Sequence, residues 1–177
     1  MKIAMLYASW EKFGETWSTP MSFRAELESR GHEITHFNLY HDEGAFLPGK
    51  KIRNYSNQGI NQLYTSFSRD IYKPDVIFVM DYGPWDALQF DKQYFPGVKL
   101  VKECGDEPQA FNLHRNAMHR VHLMLSPDKR CVEWYRQNDC NAVFWTHCAD
   151  QRLFMPKADI KPIFDCVTTC GPRGKGL

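Results

Sequence analysis

The chain has 177 residues, of which 43% are hydrophobic, 14% aromatic and 24% charged. This length is enough for one domain with its own core, and the apolar content excludes a disordered chain. The 22 basic and 21 acidic residues give a formal net charge of +1, so the overall charge does not indicate binding to nucleic acid. The apolar run at 76–80 is far shorter than the roughly 20 residues that a bilayer requires, so we expect no membrane span.

The cysteine pattern bears on the cellular compartment. No Cys-x-x-Cys pair occurs, and most of the six cysteines lie inside apolar runs. This usage predicts reduced, buried thiols in a cytoplasmic protein, with a zinc site or a disulfide framework as the alternative. The cysteines are Cys104, Cys131, Cys140, Cys148, Cys166 and Cys170.

Short apolar runs alternate with amphipathic stretches from the first residues onward. An apolar strand is predicted at 2–9, followed by a polar loop and by a helix that starts near Pro20 and stops at Gly31. An alternating strand at 33–40 leads into a polar segment, 41–57, which we expect to be a long loop. Apolar residues spaced three and four apart then predict a helix at 58–72.

The second half continues the alternation. Residues 75–81 form a continuous apolar run, which is typical of a strand buried on both faces of a parallel sheet. Further strands are predicted at 98–103, 121–126 and 141–146, and further helices at 108–120 and 128–137. Six alternations of strand and helix predict an α/β fold, a Rossmann-like doubly wound parallel sheet, whose ligands bind at the carboxyl ends of the strands.

The loop after the first strand lacks the common nucleotide-binding motifs. It contains one glycine, Gly14, and no Gly-x-Gly-x-x-Gly or P-loop pattern, and the chain has no nucleophile elbow. NAD-dependent, P-loop and α/β-hydrolase chemistry are therefore disfavoured. The aromatic residues of the loop, Trp17 among them, either stack on a sugar or base or pack on the core.

Carboxylates follow two of the predicted strands. Asp81, with Tyr82 after it, ends one strand, and could act as a base, hold a substrate hydroxyl, or simply cap a turn. Asp106 and Glu107 follow the next strand, where they could serve a hydroxyl or a metal, or complement the start of the helix that Pro108 opens. We predict a cleft lined by these acids together with Gly14.

Three histidines, His114, His119 and His122, lie close together in the sequence. Their spacing fits neither His-Glu-x-x-His nor a zinc-finger pattern. We therefore expect surface or packing roles for them rather than metal binding.

Two late segments carry a resemblance to a known family. Residues 145–156 resemble the segment that closes the N-terminal domain of GT-B glycosyltransferases. The spacing matches at Ala149-Asp150, Phe154 and Pro156, although His147-Cys148 replaces the usual Asn-Gly. Residues 164–176 are similar to the first strand and the glycine-rich, basic loop of the second domain of that class. The chain resembles in particular the CgeB-like, or spore maturation protein-like, branch of this class. Three features follow one another in the same order in both: an apolar strand that ends in an acid, here Asp81, a Gly-Asp-Glu-Pro turn, and a late Asp-x-x-x-Phe-x-Pro.

This resemblance implies a domain organisation. Residues 1–156 would be a Rossmann-like acceptor-side domain, the N-terminal half of a GT-B architecture, and 157–177 a linker and the start of a missing donor-binding domain. An apolar strand at 163–169 would then belong to that second domain. The alternative interpretation of 171–177 is a flexible polar tail.

The resemblance also implies an activity. The enzyme would transfer a sugar from a nucleotide-sugar donor to a hydroxyl of an unknown acceptor, with no metal and no cofactor besides that co-substrate. Asp81, Asp106 or Glu107 would act as catalytic residues on the acceptor hydroxyl, and Gly14, Trp17 and Tyr82 would bind substrate. The donor-binding residues would be Gly171, Arg173 and Lys175.

The expected partners are the nucleotide-sugar donor, the acceptor, and a further domain or a partner chain. A non-enzymatic Rossmann-like or flavodoxin-like module that binds a small molecule or a protein is the alternative, because doubly wound sheets host many functions.

Overall fold

The computed structural model of the chain describes residues 1–7, 18–38, 58–80, 91–105 and 107–145. The strands within these ranges are β1 (Lys2–Tyr7), β2 (Glu33–Asn38), β3 (Val76–Met80), β4 (Lys99–Glu103), β5 (Leu123–Ser126) and β6 (Ala142–Phe144). The α-helices are α1 (Ser18–Ser29), α2 (Gln58–Ser68), α3 (Phe111–His114) and α4 (Lys129–Gln137), and short 3-10 turns cover Lys92–Tyr94 and Arg115–Ala117.

The six strands form a single parallel sheet with the order β2-β1-β3-β4-β5-β6. This confirms the predicted α/β Rossmann-like sheet. The direction in which strands are added reverses at β1 and β3, which pair from Ile3↔Val76 to Tyr7↔Met80. Sheets of this class bind their ligands outside the carboxyl ends of the strands at such a switch point.

Alternate residues of each strand face two separate apolar layers, because side chains along a strand point to opposite faces. On one face, strand residues such as Leu6 and Val79 pack with Leu63 of α2 and with Val132 of α4. On the other face, strand residues that include Met5 and Phe78 pack with Met21, Phe23 and Leu27 of α1. Helices on both faces explain why the central strands are continuous apolar runs.

Two predicted helices differ from the structure. The helix expected at 58–72 ends at Ser68, because Asp70 adopts a left-handed φ of 57° that an α-helix does not continue through. The single helix expected at 108–120 is wrong. That segment begins with turns and contains α3 and a 3-10 turn, since no side chain caps the first turn of α3 and Asn112 and Asn116 are weak helix formers.

The predicted stop of the first helix at Gly31 is confirmed. Gly31 has a φ of 80°, and its N–H donates to the Glu28 carbonyl at 3.0 Å, while the His32 N–H donates to the Leu27 carbonyl at 3.2 Å. A left-handed residue that closes the last carbonyls in this way is the usual role of glycine after a helix.

Helix α4 has a side-chain cap that offers a stability test. Asp128 Oδ1 accepts from the Arg130 N–H at 2.8 Å and from the Cys131 N–H at 3.3 Å. We expect Asp128→Ala to lower the free energy of unfolding by about 1 kcal/mol, measured by urea denaturation. Glu133→Ala, on the exposed surface of the same helix, is the control, and we expect it to change stability by less than about 0.5 kcal/mol. Equal losses in the two variants would contradict a capping role.

The remaining sequence predictions are tested in part. Cys104, Cys131 and Cys140 are free and buried, as predicted, while the other three cysteines lie outside the described residues. Within the described ranges, no helix combines the length and the apolar character that a membrane crossing requires. The proposed boundary at 156–157 and the strand expected at 163–169 lie outside the described residues.

Candidate functional site

Three neighbouring strands end side by side at the carboxyl edge of the sheet. Tyr7, Met80 and Glu103 are the last residues of β1, β3 and β4, and they pair in one row of the register. The segments that hold the predicted acceptor-site residues follow directly on these three strands. Glu107 is the one predicted site residue that the structure describes, so the predicted cleft stays a prediction. Those outside the described residues are Gly14, Trp17, Asp81, Tyr82, Asp106, Gly171, Arg173 and Lys175.

Glu107 is buried at this edge, with 6% of its surface exposed. Its Oε1 accepts a hydrogen bond from the Tyr135 hydroxyl of α4, and its Oε2 has no hydrogen-bond partner within the described residues. Burial raises the pKa of Glu107, whereas the hydroxyls of Ser126 and Tyr135 and the positive charge of Lys102 act in the opposite direction. The net result is a carboxyl group that holds its proton more strongly than an exposed glutamate does.

Lys102 is a fully buried lysine on the central strand β4. It pairs with Val79 of β3 and Met124 of β5, both of which belong to the apolar layer beneath α2 and α4. Lys102, Glu107 and His114 are all buried, and the positive charge of Lys102 acts to lower the pKa of His114 and opposes the rise in the pKa of Glu107. Attraction to Glu107 offsets part of the cost of removing this ammonium group from water.

His114 ends α3 and is also fully buried. Neither ring nitrogen, Nδ1 or Nε2, has a hydrogen-bond partner within the described part of the chain. Burial, and to a smaller extent the charge of Lys102, lowers the pKa of His114 to about 3. The imidazole is therefore neutral at physiological pH and cannot act there as a cationic acid.

Two hydroxyl groups complete the arrangement. Ser126 ends β5, and its Oγ accepts from the Asp128 N–H at 3.2 Å. Burial raises the pKa of Tyr135, which keeps its hydroxyl protonated as a donor to Glu107. We call these five residues the Glu107 cluster: Lys102, Glu107, His114, Ser126 and Tyr135.

The Glu107 cluster combines groups that acid–base chemistry uses. A buried carboxyl with a raised pKa and an unused oxygen can accept or hold the proton of a hydroxyl group. All five side chains are nevertheless less than 7% exposed, and the hydrogen bond from Tyr135 to Glu107 ties α4 to the residues after β4. No group of three His, Cys, Asp or Glu side chains within the described ranges is arranged to hold a metal ion.

The three histidines differ in their surroundings, and the expectation that they bind no metal stays a prediction. His114 is buried and His119 is exposed. The Nδ1 of His122 accepts from the Leu100 N–H at 3.0 Å, so this ring holds the start of β4.

The sequence pattern indicated Glu107 as a candidate but not the polar residues buried near it. Lys102 had a detectable signal, because it alternates with Leu100 and Cys104 on what had to be the buried face of a central strand. Tyr135 and His114 gave no such signal in the sequence, since a tyrosine or histidine in an amphipathic segment usually only contributes to packing.

Comparison of the chain with models of protein families and with curated proteins finds no match. The sheet by itself specifies no activity, because doubly wound sheets host many functions. The function is therefore inferred from the carboxyl edge and from the resemblance in the sequence.

Proposed function

We propose that this chain carries the acceptor-side domain of a GT-B glycosyltransferase of the CgeB-like branch. The acceptor binds over the carboxyl ends of β1, β3 and β4, and a carboxylate at this edge orients or deprotonates its hydroxyl group. A nucleotide sugar is the donor. Gly171, Arg173 and Lys175 contribute to binding its diphosphate, and a further domain or a partner chain supplies the rest of the donor site.

The observation that carries the proposal is the position of Glu107. In the sequence, Asp106 and Glu107 follow β4, and Asp81 follows β3, which neighbours β4 in the sheet. Acids from two adjacent strand ends thus start from one edge, the edge at which this class of sheet binds ligands. The raised pKa of Glu107, which burial causes, suits a group that exchanges a proton with a sugar hydroxyl.

The burial of the Glu107 cluster favours a second candidate, a binding module without chemistry. A carboxyl that is 6% exposed and accepts a hydrogen bond from Tyr135 can be explained as part of the scaffold. In that case Glu107 positions the turn after β4, and the edge binds a small molecule without transforming it.

Acceptor binding and sugar transfer separate the two candidates. Binding is measured by saturation-transfer NMR of the chain with a panel of p-nitrophenyl glycosides. Transfer from UDP-, GDP- and dTDP-sugars to the same glycosides is followed by chromatography. Because a GT-B enzyme holds donor and acceptor between two domains, transfer is measured with this chain and with the longest product of its gene.

We expect one of the variants Asp81→Asn, Asp106→Asn and Glu107→Gln to weaken glycoside binding about tenfold and to slow transfer about 100-fold or more. Glu133→Gln, an exposed change on α4, is the control and should alter neither. Thermal melting of each variant separates loss of the site from loss of the fold. Glycoside binding without transfer from any donor would contradict the transferase and support the binding module.

A further inference from the structure

A concave site lies at the edge of the sheet opposite the Glu107 cluster. A groove of about 670 Å³ opens at the amino ends of β4, β5 and β6, where Lys99, Leu123 and Ala142 are among its lining residues. Its volume falls within the range of about 300–1,000 Å³ that is usual for small-molecule sites. The Glu107 cluster is at the carboxyl edge, so the groove is a separate site.

The groove is lined by positive charges. Lys92, Lys99 and Arg136 line it, and none of the three makes an ion pair within the residues that the structure describes. Asp139 is the acidic residue of the lining. Like charges that converge on one concave surface repel one another, and a bound anion would relieve this repulsion.

Two of the lining side chains are held in place by the backbone. Arg136 Nε donates to the Ala142 carbonyl at 2.9 Å, which fixes the guanidinium group against β6. His122 Nδ1 accepts from the Leu100 N–H at 3.0 Å, so the proton of the neutral ring lies on Nε2 and is available to a ligand. Lys92 and Lys99 line the groove together with His122, and burial, followed by their charges, lowers the pKa of this ring.

We propose that this groove binds a phosphorylated small molecule. Lys92, Lys99 and Arg136 would bind the phosphate oxygens, because a phosphate accepts several charge-assisted hydrogen bonds at once. The groove also contains an apolar wall that includes Val101 and Leu123, which suits a ligand with a planar or apolar part. The formal net charge of +1 on the whole chain favours a small phosphorylated ligand over a long polyanion.

The test uses inorganic pyrophosphate and ADP as probes of the full chain. Affinity is measured by calorimetry, and the site is located from backbone amide shifts. We expect shifts around Lys92, Leu123 and Ala142, and tighter binding of ADP because its base contacts the apolar wall. Lys92→Gln, Lys99→Gln and Arg136→Gln should each weaken binding about fivefold or more.

Arg69→Gln removes an exposed cation outside the groove and is the matched control, which should leave the affinity unchanged. Because Arg136 also bonds the backbone of β6, the two lysine variants keep the test valid if Arg136→Gln fails to fold. Unchanged affinity in both lysine variants would overturn the proposal, as would an equal loss in Arg69→Gln. Heparin binding far tighter than ADP binding would overturn it in favour of a polyanion surface.

This site is independent of the proposed transferase function. Lys99→Gln should leave the binding of p-nitrophenyl glycosides unchanged, because Lys99 starts β4 and the acceptor edge lies at its other end. Loss of one kind of binding without the other therefore shows which of the two proposals has failed.

Discussion

Replacing His114 by leucine is expected to make the protein markedly less sensitive to acid. In the unfolded chain a histidine takes up a proton near pH 6.5, whereas in the folded protein burial, with a contribution from Lys102, lowers the pKa of His114 to about 3. Between these values the unfolded state binds more protons, so the free energy of unfolding falls as the pH falls. His114 alone should account for about 2–3 kcal/mol between roughly pH 6.5 and 4.5.

Two carboxyl groups determine the pH range over which the measurement is made. Burial raises the pKa of Glu107 in the folded protein above its ordinary value of about 4.5. Between these two values the folded state binds more protons than the unfolded state, so the contribution of Glu107 to the free energy of unfolding increases as the pH falls. The Arg130 side chain, together with backbone N–H groups, lowers the pKa of Asp128 to about 2, and its stabilisation is lost below its ordinary value of 3.8. Stopping at about pH 4.5 leaves Asp128 largely ionised, and comparison with the variant isolates His114.

The measurement is urea unfolding followed by circular dichroism between about pH 7.5 and 4.5. We expect His114→Leu to be at least as stable as the wild type near neutral pH, because it removes two buried ring nitrogens that have no partner within the described residues. Its stability should then change less with pH. Leu113→Ala, at an exposed residue next to His114 in the sequence, removes no titratable group and should keep the wild-type slope. A slope for His114→Leu equal to that of the wild type would contradict the burial of a neutral imidazole.

Tyr135→Phe is expected to lower the free energy of unfolding by about 1–3 kcal/mol. The hydroxyl of Tyr135 donates to Glu107 Oε1, and Oε2 has no hydrogen-bond partner within the described residues. Removing the hydroxyl therefore leaves a buried carboxyl group with less compensation for the hydration that it lost. The loss should exceed that of Tyr64→Phe, at a tyrosine that is 45% exposed, which we expect to change stability by less than about 0.5 kcal/mol.

A double-mutant cycle shows whether the loss comes from this hydrogen bond. Glu107→Met removes the acceptor, and it should also be destabilising because Lys102 loses the attraction of a nearby carboxylate. If the bond matters, Tyr135→Phe in the Glu107→Met background should cost less than half of what it costs in the wild type. Additive losses would show that Tyr135 and Glu107 contribute to stability independently, and they would contradict a stabilising hydrogen bond between the two side chains.

Much of the fold was predictable because its determinants are local. The continuous apolar run at 75–81 predicted a buried parallel strand, and β3 occupies 76–80. Gly31 stops α1 and Asp128 caps α4 through interactions with residues a few positions away. Local periodicity and capping act within a few residues, so they can be read along the chain. The helix predicted at 108–120 failed because no side chain caps the first turn of α3 and the two asparagines of the segment are weak helix formers.

The neighbours of Glu107 and the basic groove were decided by the tertiary structure. Lys102, His114 and Tyr135 come from β4, α3 and α4, and each is buried because the sheet order β2-β1-β3-β4-β5-β6 places β4 and β5 beneath these helices. Lys92, Lys99 and Arg136 read as separate surface charges, yet the parallel register brings the amino ends of β4, β5 and β6 together beside them. The pattern of apolar residues specified that a parallel sheet forms. Which polar side chains share its two edges depends on strand order and register, and these are set by packing between segments distant in the sequence.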